Sequence, residues 1–273
     1  MKNKKEQAQG KLVSRGMFSA DFLKIIALLT MLIDHIGAGI LEHIMRNGFA
    51  GSAEIYRQLY EADRILRAVG RLSFPLFCFL LVQGFLYTHS RILYALRLVI
   101  FALLSEIPFD YLFFGGFTME HQNVFWTLFL GLITLSAISA AEETDLPRVL
   151  KGMAVAGALA AGMLAAGLMH TDYGWRGIIM IAAIYLLRRD RALQCICTPV
   201  LFLTGQFISM TMGGMDAEIA LERVLLQGSV FFSFFFIYRC NGKRYIKRGK
   251  YLFYAFYPLH LLLLLLAREF WLV

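Results

Sequence analysis

The fold is decided by the apolar stretch Phe22-Leu23-Lys24-Ile25-Ile26-Ala27-Leu28-Leu29-Thr30-Met31-Leu32-Ile33-Asp34-His35, which continues to Leu41. It supplies the roughly 20 residues that a helix needs to cross a hydrocarbon core. Asp34 and His35 are neighbours within it, and an ionised acid there costs roughly 2.5–3.5 kcal/mol on insertion scales. Such groups usually face other helices or a wet cavity. The stretch therefore predicts a membrane helix that carries functional polar groups.

The spacing of Lys24 and His35 places both on one side of this helix. They are 11 residues apart, close to three full turns, whereas Asp34 points about 100° away. In the structural alternative, Asp34 and His35 only pair with a neighbouring helix. Because two adjacent titratable groups are more than packing requires, we favour catalysis. The hypothesis makes His35 a general base, with Asp34 as its partner or as a helix-packing acid.

The rest of the chain has the same apolar character. Of its 273 residues, 59% are hydrophobic, and its mean hydropathy is +0.62, whereas soluble domains are about 45–50% apolar. Long apolar runs separated by short polar connections predict an all-α, polytopic helical bundle of about nine or ten transmembrane helices. We expect a cytoplasmic basic tail over residues 1–20 and a single transmembrane domain over 21–273, in contact with membrane lipid.

The net charge of +8 follows the membrane topology and does not indicate a nucleic-acid partner. Eighteen of the 27 Lys and Arg residues lie in the tail and in four alternate connections, as the positive-inside rule requires. Nine spans with a cytoplasmic N-terminus satisfy this pattern. Ten spans, with the C-terminus inside, would follow if the amphipathic segment 53–70 inserted or if the third span broke at Pro108.

Several other polar residues lie at or within the apolar runs. Arg71 opens the second span, either as a snorkelling anchor or, together with Lys24, as a clamp for an anionic donor such as coenzyme A. Glu106 and Asp110 are four residues apart and share a helix face if the helix continues past Pro108. Structural and functional roles are equally supported for these two acids. Asn123 opens the fourth span.

Two later segments also bring polar groups to apolar runs. The turn that contains His170, Asp172 and Tyr173 is either the rim of a binding site or a purely structural turn. It has too few ligands at suitable spacing for a metal site, and we expect no metal. In the last span, Tyr257 and His260 are three residues apart and share a face. His260 is either an interior hydrogen-bonded side chain or part of the site.

Four groups of residues resemble the motifs of one family, the TraX family, named after the F-pilin acetylase of conjugative plasmids. The resemblance extends from Asp21 to about Leu262. The motifs are Leu23-Lys24-x-Ile26-Ala27-x-x-x-Met31-x-Ile33-Asp34-His35-Ile36-Gly37; Gly70-Arg71-Leu72-Ser73-Phe74-Pro75-x-Phe77 with Gly84-Phe85; Glu106-Ile107-Pro108-Phe109-Asp110 with Asn123-Val124-Phe125; and Asp172-Tyr173-Gly174 with Tyr257-Pro258-Leu259-His260. One position departs from the pattern, because Gln83 stands where an acidic residue is expected.

The family is also similar to the acyltransferase 3 membrane enzymes, which have an arginine near the start of the first helix and a catalytic histidine toward its end. Lys24 and His35 occupy those places. The resemblance implies an acyltransferase-3-like fold in the bacterial cytoplasmic membrane and transfer of an acetyl group from acetyl-CoA, with His35 as the base. It leaves the acceptor open among a protein N-terminal amine, a glycan hydroxyl and a lipid hydroxyl. The predicted binding residues are Lys24, Arg71, Glu106, Asp110, Asn123, Asp172, Tyr173, Tyr257 and His260.

A second class of function competes with this hypothesis. In a proton-coupled transporter, Asp34, His35, Glu106 and His260 would form a proton relay through the bundle. Against it, the two halves of the chain show no obvious repeat, and each half has a single candidate for a broken helix.

Overall fold

The computed structural model describes residues 16–47, 52–245 and 250–271, and within them the chain is all-α. Its two isolated β-bridges, Phe18 with Cys240 and Gln122 with Thr171, belong to connections between helices. The five basic residues of the predicted tail lie in 1–15, outside the described residues. The helices are α1 Ala20–Ile36, α2 Glu42–Arg46, α3 Ala53–Gly70, α4 Ser73–Tyr87, α5 Arg91–Phe114, α6 Val124–Glu143, α7 Arg148–Leu168, α8 Gly174–Leu186, α9 Arg191–Met212, α10 Ala217–Leu226, α11 Val230–Tyr238 and α12 Lys250–Trp271.

These helices make the chain a multi-pass membrane protein, as predicted. Among the described residues, eight helical segments are long and apolar enough to cross a membrane: α1 with α2, α3 with α4, α5, α6, α7, α9, α10 with α11, and α12. A ninth apolar helix, α8, has only 13 residues and occupies the position of the sixth predicted span. Its residues from Ile178 to Tyr185 are almost all buried by protein, because α4, α6, α7 and α9 pack around it.

The first span is one long helical segment with a π-helical turn. Ser19 caps α1 by accepting a hydrogen bond from the Phe22 amide. A π-helical turn over Gly37–Leu41 then joins α1 to α2. Gly37 lets α3 approach closely, since a Cβ there would lie 2.8 Å from Asp63 Oδ1. The turn lies just beyond Asp34 and His35, and π-turns are frequent at functional sites.

The amphipathic segment 53–70 forms α3, as its spacing predicts. Ser52 caps its start, and its second half packs against the first span, with Asp63 and Leu66 beside Gly37 and with Gly70 beside Asp34. A short break at Arg71 and Leu72 separates α3 from α4. This break brings Arg71 to the level of Asp34, because a side chain at Gly70 would overlap the Asp34 carboxylate.

The third span does not break at Pro108, so the ten-span alternative that rested on such a break does not hold. Helix α5 continues to Phe114, with Pro108 inside it. Two contacts stabilise the extra turn. Arg268 on α12 donates to the carbonyl oxygens of Tyr111 and Leu112 at 3.1 and 2.8 Å, and Gly115 ends the helix at φ +77°. Arg268 thus satisfies carbonyl groups at the end of the helix, which continues past Pro108 despite the backbone hydrogen bond that proline removes.

Five helices form a closed ring in the bundle. Around the ring, α1 packs against α4, α4 against α6, α6 against α5, α5 against α12, and α12 against α1. The side chains that point inward come from stretches that are apolar on every face, as expected for helices surrounded by protein and lipid. The ring encloses the space in which most of the predicted site residues meet.

Candidate functional site

A cavity of about 280 Å³ lies inside the five-helix ring. Its walls are mainly aromatic and aliphatic, with Lys24, Arg97 and Arg244 among the lining residues. Lys24 is near the start of α1, Arg97 is in the first half of α5, and Arg244 precedes α12. These three cations therefore mark one end of the cavity. The apolar lining is Leu28, Met31, Phe77, Leu80, Leu81, Leu98, Val124, Phe125, Leu128 and Phe253.

A second, smaller cavity of about 40 Å³ adjoins the first one. Four residues line both cavities: Met31, Phe77, Val124 and Tyr257. The smaller cavity is also lined by five polar residues, namely Asp34, His35, Ser73, Asp172 and Tyr173. A long apolar cavity thus leads to a compact polar one, with Tyr257 at the junction.

His35 and His260 form a hydrogen-bonded pair beside this junction. His35 Nδ1 lies 2.7 Å from His260 Nε2, and His260 Nδ1 lies 2.7 Å from the carbonyl oxygen of Phe256. A carbonyl only accepts, so the proton of neutral His260 is on Nδ1 and its Nε2 accepts. His35 Nδ1 must then donate, which leaves the lone pair of neutral His35 on Nε2. The chain of contacts therefore selects the tautomer in which His35 is a base at Nε2.

Asp34 does not contact His35 as a carboxylate–imidazole pair. Its Oδ2 accepts from Arg67 Nη1 at 2.7 Å, so its partner is on α3. Its Oδ1 is buried, and no described residue hydrogen-bonds to that oxygen. The close approach of Gly70 holds the carboxylate beside the α3–α4 break. One oxygen is thus fixed by an arginine, and the other has no described partner although Asp34 lines the smaller cavity.

Arg71 lies among the side chains of Asp34, Asp172 and Tyr173 and interacts electrostatically with all three. Neither cavity has Arg71 in its lining. With Arg67, it balances the two carboxylates of the smaller cavity. This placement makes Arg71 a positioning residue for the acidic side chains and separates it from Lys24, with which it was predicted to form a donor clamp.

Asp172 and Tyr173 enter the site through an unusual backbone turn. Tyr173 has φ +64°, which is uncommon for a residue other than glycine and stores strain that surrounding contacts must hold. Its ring stacks on Phe74 with centroids 3.6 Å apart. The Thr127 hydroxyl donates to the Asp172 carbonyl, and Arg176 Nε donates to the Tyr173 carbonyl at 3.2 Å. These contacts fix the turn against α4, α6 and α8.

The pKa of Asp172 is raised to about 6. Loss of hydration is the largest cause, and the nearby negative charge of Asp34 adds to it. Arg71, Arg67 and the Tyr173 amide act in the opposite direction. Asp172 lies in the connection before α8, outside the spanning helices. The Asp172 carboxyl group therefore changes charge close to neutral pH.

Tyr257 connects the two cavities and the histidine pair. Its ring is 3% exposed, and its hydroxyl interacts with the Val124 backbone at the start of α6. The ring meets His35 and His260 edge-on, with centroids 5.8 and 5.5 Å away. The two predicted residues of the last span, Tyr257 and His260, thus both contact His35.

Glu106, Asn123 and Asp110 form a separate polar group. Glu106 Oε2 accepts from Asn123 Nδ2 at 2.5 Å and from Trp126 Nε1 at 3.0 Å. Asp110 Oδ2 accepts from the Thr118 amide at 3.1 Å. None of the three lines either cavity. Their contacts join α5 to α6 and hold the connection between them.

Sequence reasoning missed three arginines. Arg67 was not singled out as a site residue, whereas it pairs with Asp34. Arg97 and Arg244 were used only to orient the chain, whereas both line the larger cavity. Arg97 lies six residues inside α5. This depth within an apolar helix was the sequence signal that could have identified it as a site residue. Where the structure describes the chain, no group of three or more His, Cys, Asp or Glu side chains is arranged to hold a metal ion.

Comparison with known proteins agrees with the motifs. The family model described as "TraX protein" matches residues 19–268. The chain belongs to the TraX family. It is 29% identical over 267 residues to the "Probable fimbrial assembly protein FimC, serogroup H1" of Dichelobacter nodosus, covering 93% of this chain and 97% of that protein. No solved structure gives a significant match.

Proposed function

We propose that this TraX-family protein is an integral membrane acyltransferase that transfers an acetyl group from acetyl-CoA to an amine or hydroxyl acceptor. The observation that carries the proposal is the pair His35 and His260 at the junction of the two cavities. An extended apolar cavity suits a thioester donor, and a small polar cavity suits the attacking group of an acceptor. The imidazole of His35 lies where the two substrates would meet.

The chemistry follows from the tautomer of the histidine pair. His35 Nε2 removes a proton from the acceptor as the acceptor nitrogen or oxygen attacks the thioester carbonyl carbon. The new bond to that carbon forms, the carbon–sulfur bond then breaks, and coenzyme A leaves as a thiol after taking up the proton from His35. His260 accepts the hydrogen bond from His35 Nδ1 throughout, which keeps the imidazole oriented as charge develops on it.

The acidic residues take supporting roles in this proposal. Asp34 and Asp172 stabilise the imidazolium that forms at His35, and Arg67 and Arg71 hold the two carboxylates in place. Since two carboxylates face two guanidinium groups, charge alone does not choose between an amine and a hydroxyl acceptor. The name of the Dichelobacter nodosus relative makes the N-terminal amine of a pilin-type protein the first acceptor to test. Glycan and lipid hydroxyls follow.

We further propose that the protein resides in a bacterial cytoplasmic membrane with its N-terminus in the cytoplasm. The distribution of Lys and Arg supports this orientation. It would open the Lys24 end of the larger cavity toward the cytoplasm, where coenzyme A thioesters are made. The His35 end would then lie about 16 Å further along α1, at ~1.5 Å of rise per residue.

Turnover of acetyl-CoA by the purified protein in lipid nanodiscs tests the proposal. Free coenzyme A would be measured with a peptide amine or a sugar hydroxyl as acceptor, for the wild type, His35→Ala and the control His43→Ala. His43 lies in α2 and contacts Asn47. We expect His35→Ala to bind acetyl-CoA while losing about 10²–10⁴-fold in turnover, as removal of a general base does.

Two results would count against this function. Equal turnover by His35→Ala and the wild type would remove the assigned base. If the folded wild type neither bound nor turned over any coenzyme A thioester, the acyltransferase proposal would fail. Proton-coupled uptake in liposomes would then be the next measurement, since buried Asp, Glu and His side chains also suit a proton relay.

A further inference from the structure

We propose that Lys24, Arg97 and Arg244 form a phosphate-binding mouth for the donor, at the end of the larger cavity opposite His35. The inference rests on the proposed function and names the part of the protein that recognises the nucleotide end of coenzyme A. It replaces the pairing of Lys24 with Arg71 that the sequence suggested. We call these three residues the cationic mouth.

Arg97 is the residue that most needs a ligand. It lies in a membrane-spanning helix, and its Nε is buried without a hydrogen-bond partner among the described residues. Its guanidinium contacts the Tyr254 hydroxyl and lies 5.6 Å from the centroid of the Tyr94 ring. No described carboxylate comes within 4 Å of it. A guanidinium in a spanning helix whose Nε is buried without a partner is expensive unless an anion completes the site.

The other two cations extend the mouth toward the aqueous end. Arg244 is exposed and lies 5.7 Å from the centroid of the Tyr87 ring. Lys24 Nζ is 2.9 Å from Asp21 Oδ1 and 5.0 Å from the centroid of the Phe253 ring. Asp21 does not line the cavity, and neither does any other described Asp or Glu. Lys24 is therefore paired with Asp21 at the rim, whereas Arg97 and Arg244 line the cavity without a lining carboxylate to oppose them.

The dimensions of the cavity fit a ligand with a charged head and a long neutral arm. Lys24 and His35 are 11 residues apart on α1, which corresponds to about 16 Å of helix rise. An extended pantetheine arm has a comparable reach. The walls between the two ends are apolar and aromatic, including Leu28, Phe77 and Phe125. Phosphates at the cationic mouth would place the thioester near Tyr257, where the two cavities join.

The cationic mouth suits a phosphate group, since guanidinium and ammonium groups are the usual protein partners of phosphate. Two kinds of ligand could supply it. Coenzyme A provides a diphosphate and a 3′-phosphate. An anionic phospholipid is the other source of phosphate near a membrane surface. We assign the mouth to coenzyme A, because the larger cavity shares Met31, Phe77, Val124 and Tyr257 with the smaller cavity that His35 lines.

Binding measurements in phosphatidylcholine nanodiscs test the assignment with coenzyme A, dephospho-coenzyme A and pantetheine as probes. The variants are Arg97→Gln, Arg244→Gln and Arg97→Lys, and the matched control is Arg91→Gln. Arg91 lies on the same helix and donates to Ser139 at 3.2 Å, away from the cavity. We expect Arg97→Gln to weaken coenzyme A binding by about tenfold or more, the usual cost of a lost charged hydrogen bond. Pantetheine binding should not change, and Arg97→Lys should retain most of the affinity.

The outcomes separate this inference from the proposed function. If Arg97→Gln and Arg244→Gln bind coenzyme A like the wild type and still turn over acetyl-CoA, the cationic mouth is wrong and the acyltransferase stands. The mouth is also wrong if these variants lose only bound phosphatidylglycerol, measured by native mass spectrometry. If the wild type binds no coenzyme A and turns over no thioester, the proposed function itself fails, and the mouth fails with it.

Discussion

Two acidic regions lie in the membrane bundle, and they differ in what surrounds them. Asp34 and Asp172 line a cavity beside His35, and Asp34 keeps one oxygen without a described partner. Glu106 and Asp110 each accept hydrogen bonds through one oxygen, from Asn123, Trp126 and the Thr118 amide. Their other oxygens, Oε1 and Oδ1, are likewise buried without a described partner, but neither residue lines a cavity. We call the first the cavity pair and the second the scaffold pair. Burying an acid in a membrane protein costs free energy in either region, so that cost alone does not identify a functional acid.

The hydrogen-bond partners also distinguish the histidine pair, His35 and His260, from an ordinary buried histidine. A structural histidine needs only a satisfied hydrogen bond, which the Phe256 carbonyl gives to His260. His260 then uses its second nitrogen to fix His35. The four predictions below change the cavity pair, the histidine pair or the scaffold pair, in order of decreasing expected effect on turnover.

His260→Leu should reduce acetyl transfer by about 10–100-fold, the usual range for losing the group that orients a functional histidine. Leucine cannot accept the hydrogen bond from His35 Nδ1, so the imidazole is free to take the other tautomer. His260→Gln keeps an acceptor oxygen and should recover part of the rate. The measurement is the rate of coenzyme A release at saturating acetyl-CoA. Equal rates for the Leu and Gln variants would show that hydrogen bonding by His260 does not matter.

Gly70→Ala should lower turnover by about tenfold, since a Cβ at this position overlaps the Asp34 carboxylate and overpacking shifts neighbours or costs about 1–3 kcal/mol. The control is Gly152→Ala in α7, where a Cβ would meet nothing within 4 Å. Turnover and thermal stability would be measured for both variants. Identical behaviour of the two would mean that the position of Asp34 is not set by the approach of α3.

Asp172→Asn should remove a severalfold pH dependence of turnover centred near pH 6, where Asp172 titrates. Because its pKa is raised, the carboxyl is neutral below about 6 and negative above it, and the negative form stabilises an imidazolium at His35. Wild-type turnover should thus rise through pH 6. The profiles of wild type and variant would be compared between pH 5 and pH 8. An unchanged inflection in the variant would assign it to another group.

Glu106→Gln should leave turnover of the folded protein unchanged while it reduces stability. Glutamine keeps one acceptor oxygen for Asn123 or Trp126 but loses the charged hydrogen bonds, which are worth about 1.5–3 kcal/mol each. Thermal unfolding in detergent measures the loss, and coenzyme A release per folded protein measures the activity. A large fall in turnover at full stability would move Glu106 from the scaffold pair into the catalytic site.

Much of the fold could be predicted from the sequence because lipid imposes simple rules on a chain. The apolar runs predicted the spanning helices, and the amphipathic spacing over 53–70 predicted α3. The sequence left open whether the third span breaks at Pro108, and the answer has a tertiary cause, since Arg268 contacts the end of α5. The shortness of α8 was also hidden, because a helix enclosed by protein does not need to match the thickness of the bilayer.

The candidate site was only partly predictable. Asp34, His35, Asp172, Tyr173, Tyr257 and His260 were selected, and all six lie at the smaller cavity or contact the residues that line it. Glu106, Asp110 and Asn123 were selected on the same grounds, but they form the separate polar group that joins α5 to α6. Arg67 and Arg97 were overlooked as site residues because a charge near a helix end also fits the positive-inside rule or an amphipathic surface.

The sequence by itself determined that the chain is a helical membrane protein with Lys24 and His35 on one side of its first helix. Helical periodicity and the exclusion of water from lipid are sufficient for that. Only the tertiary structure decided which polar residues share a cavity. Contacts between α1, α3 and α12 pair Asp34 with Arg67 and His35 with His260. Those partners are 33 and 225 residues apart in sequence, and no local pattern encodes such distances.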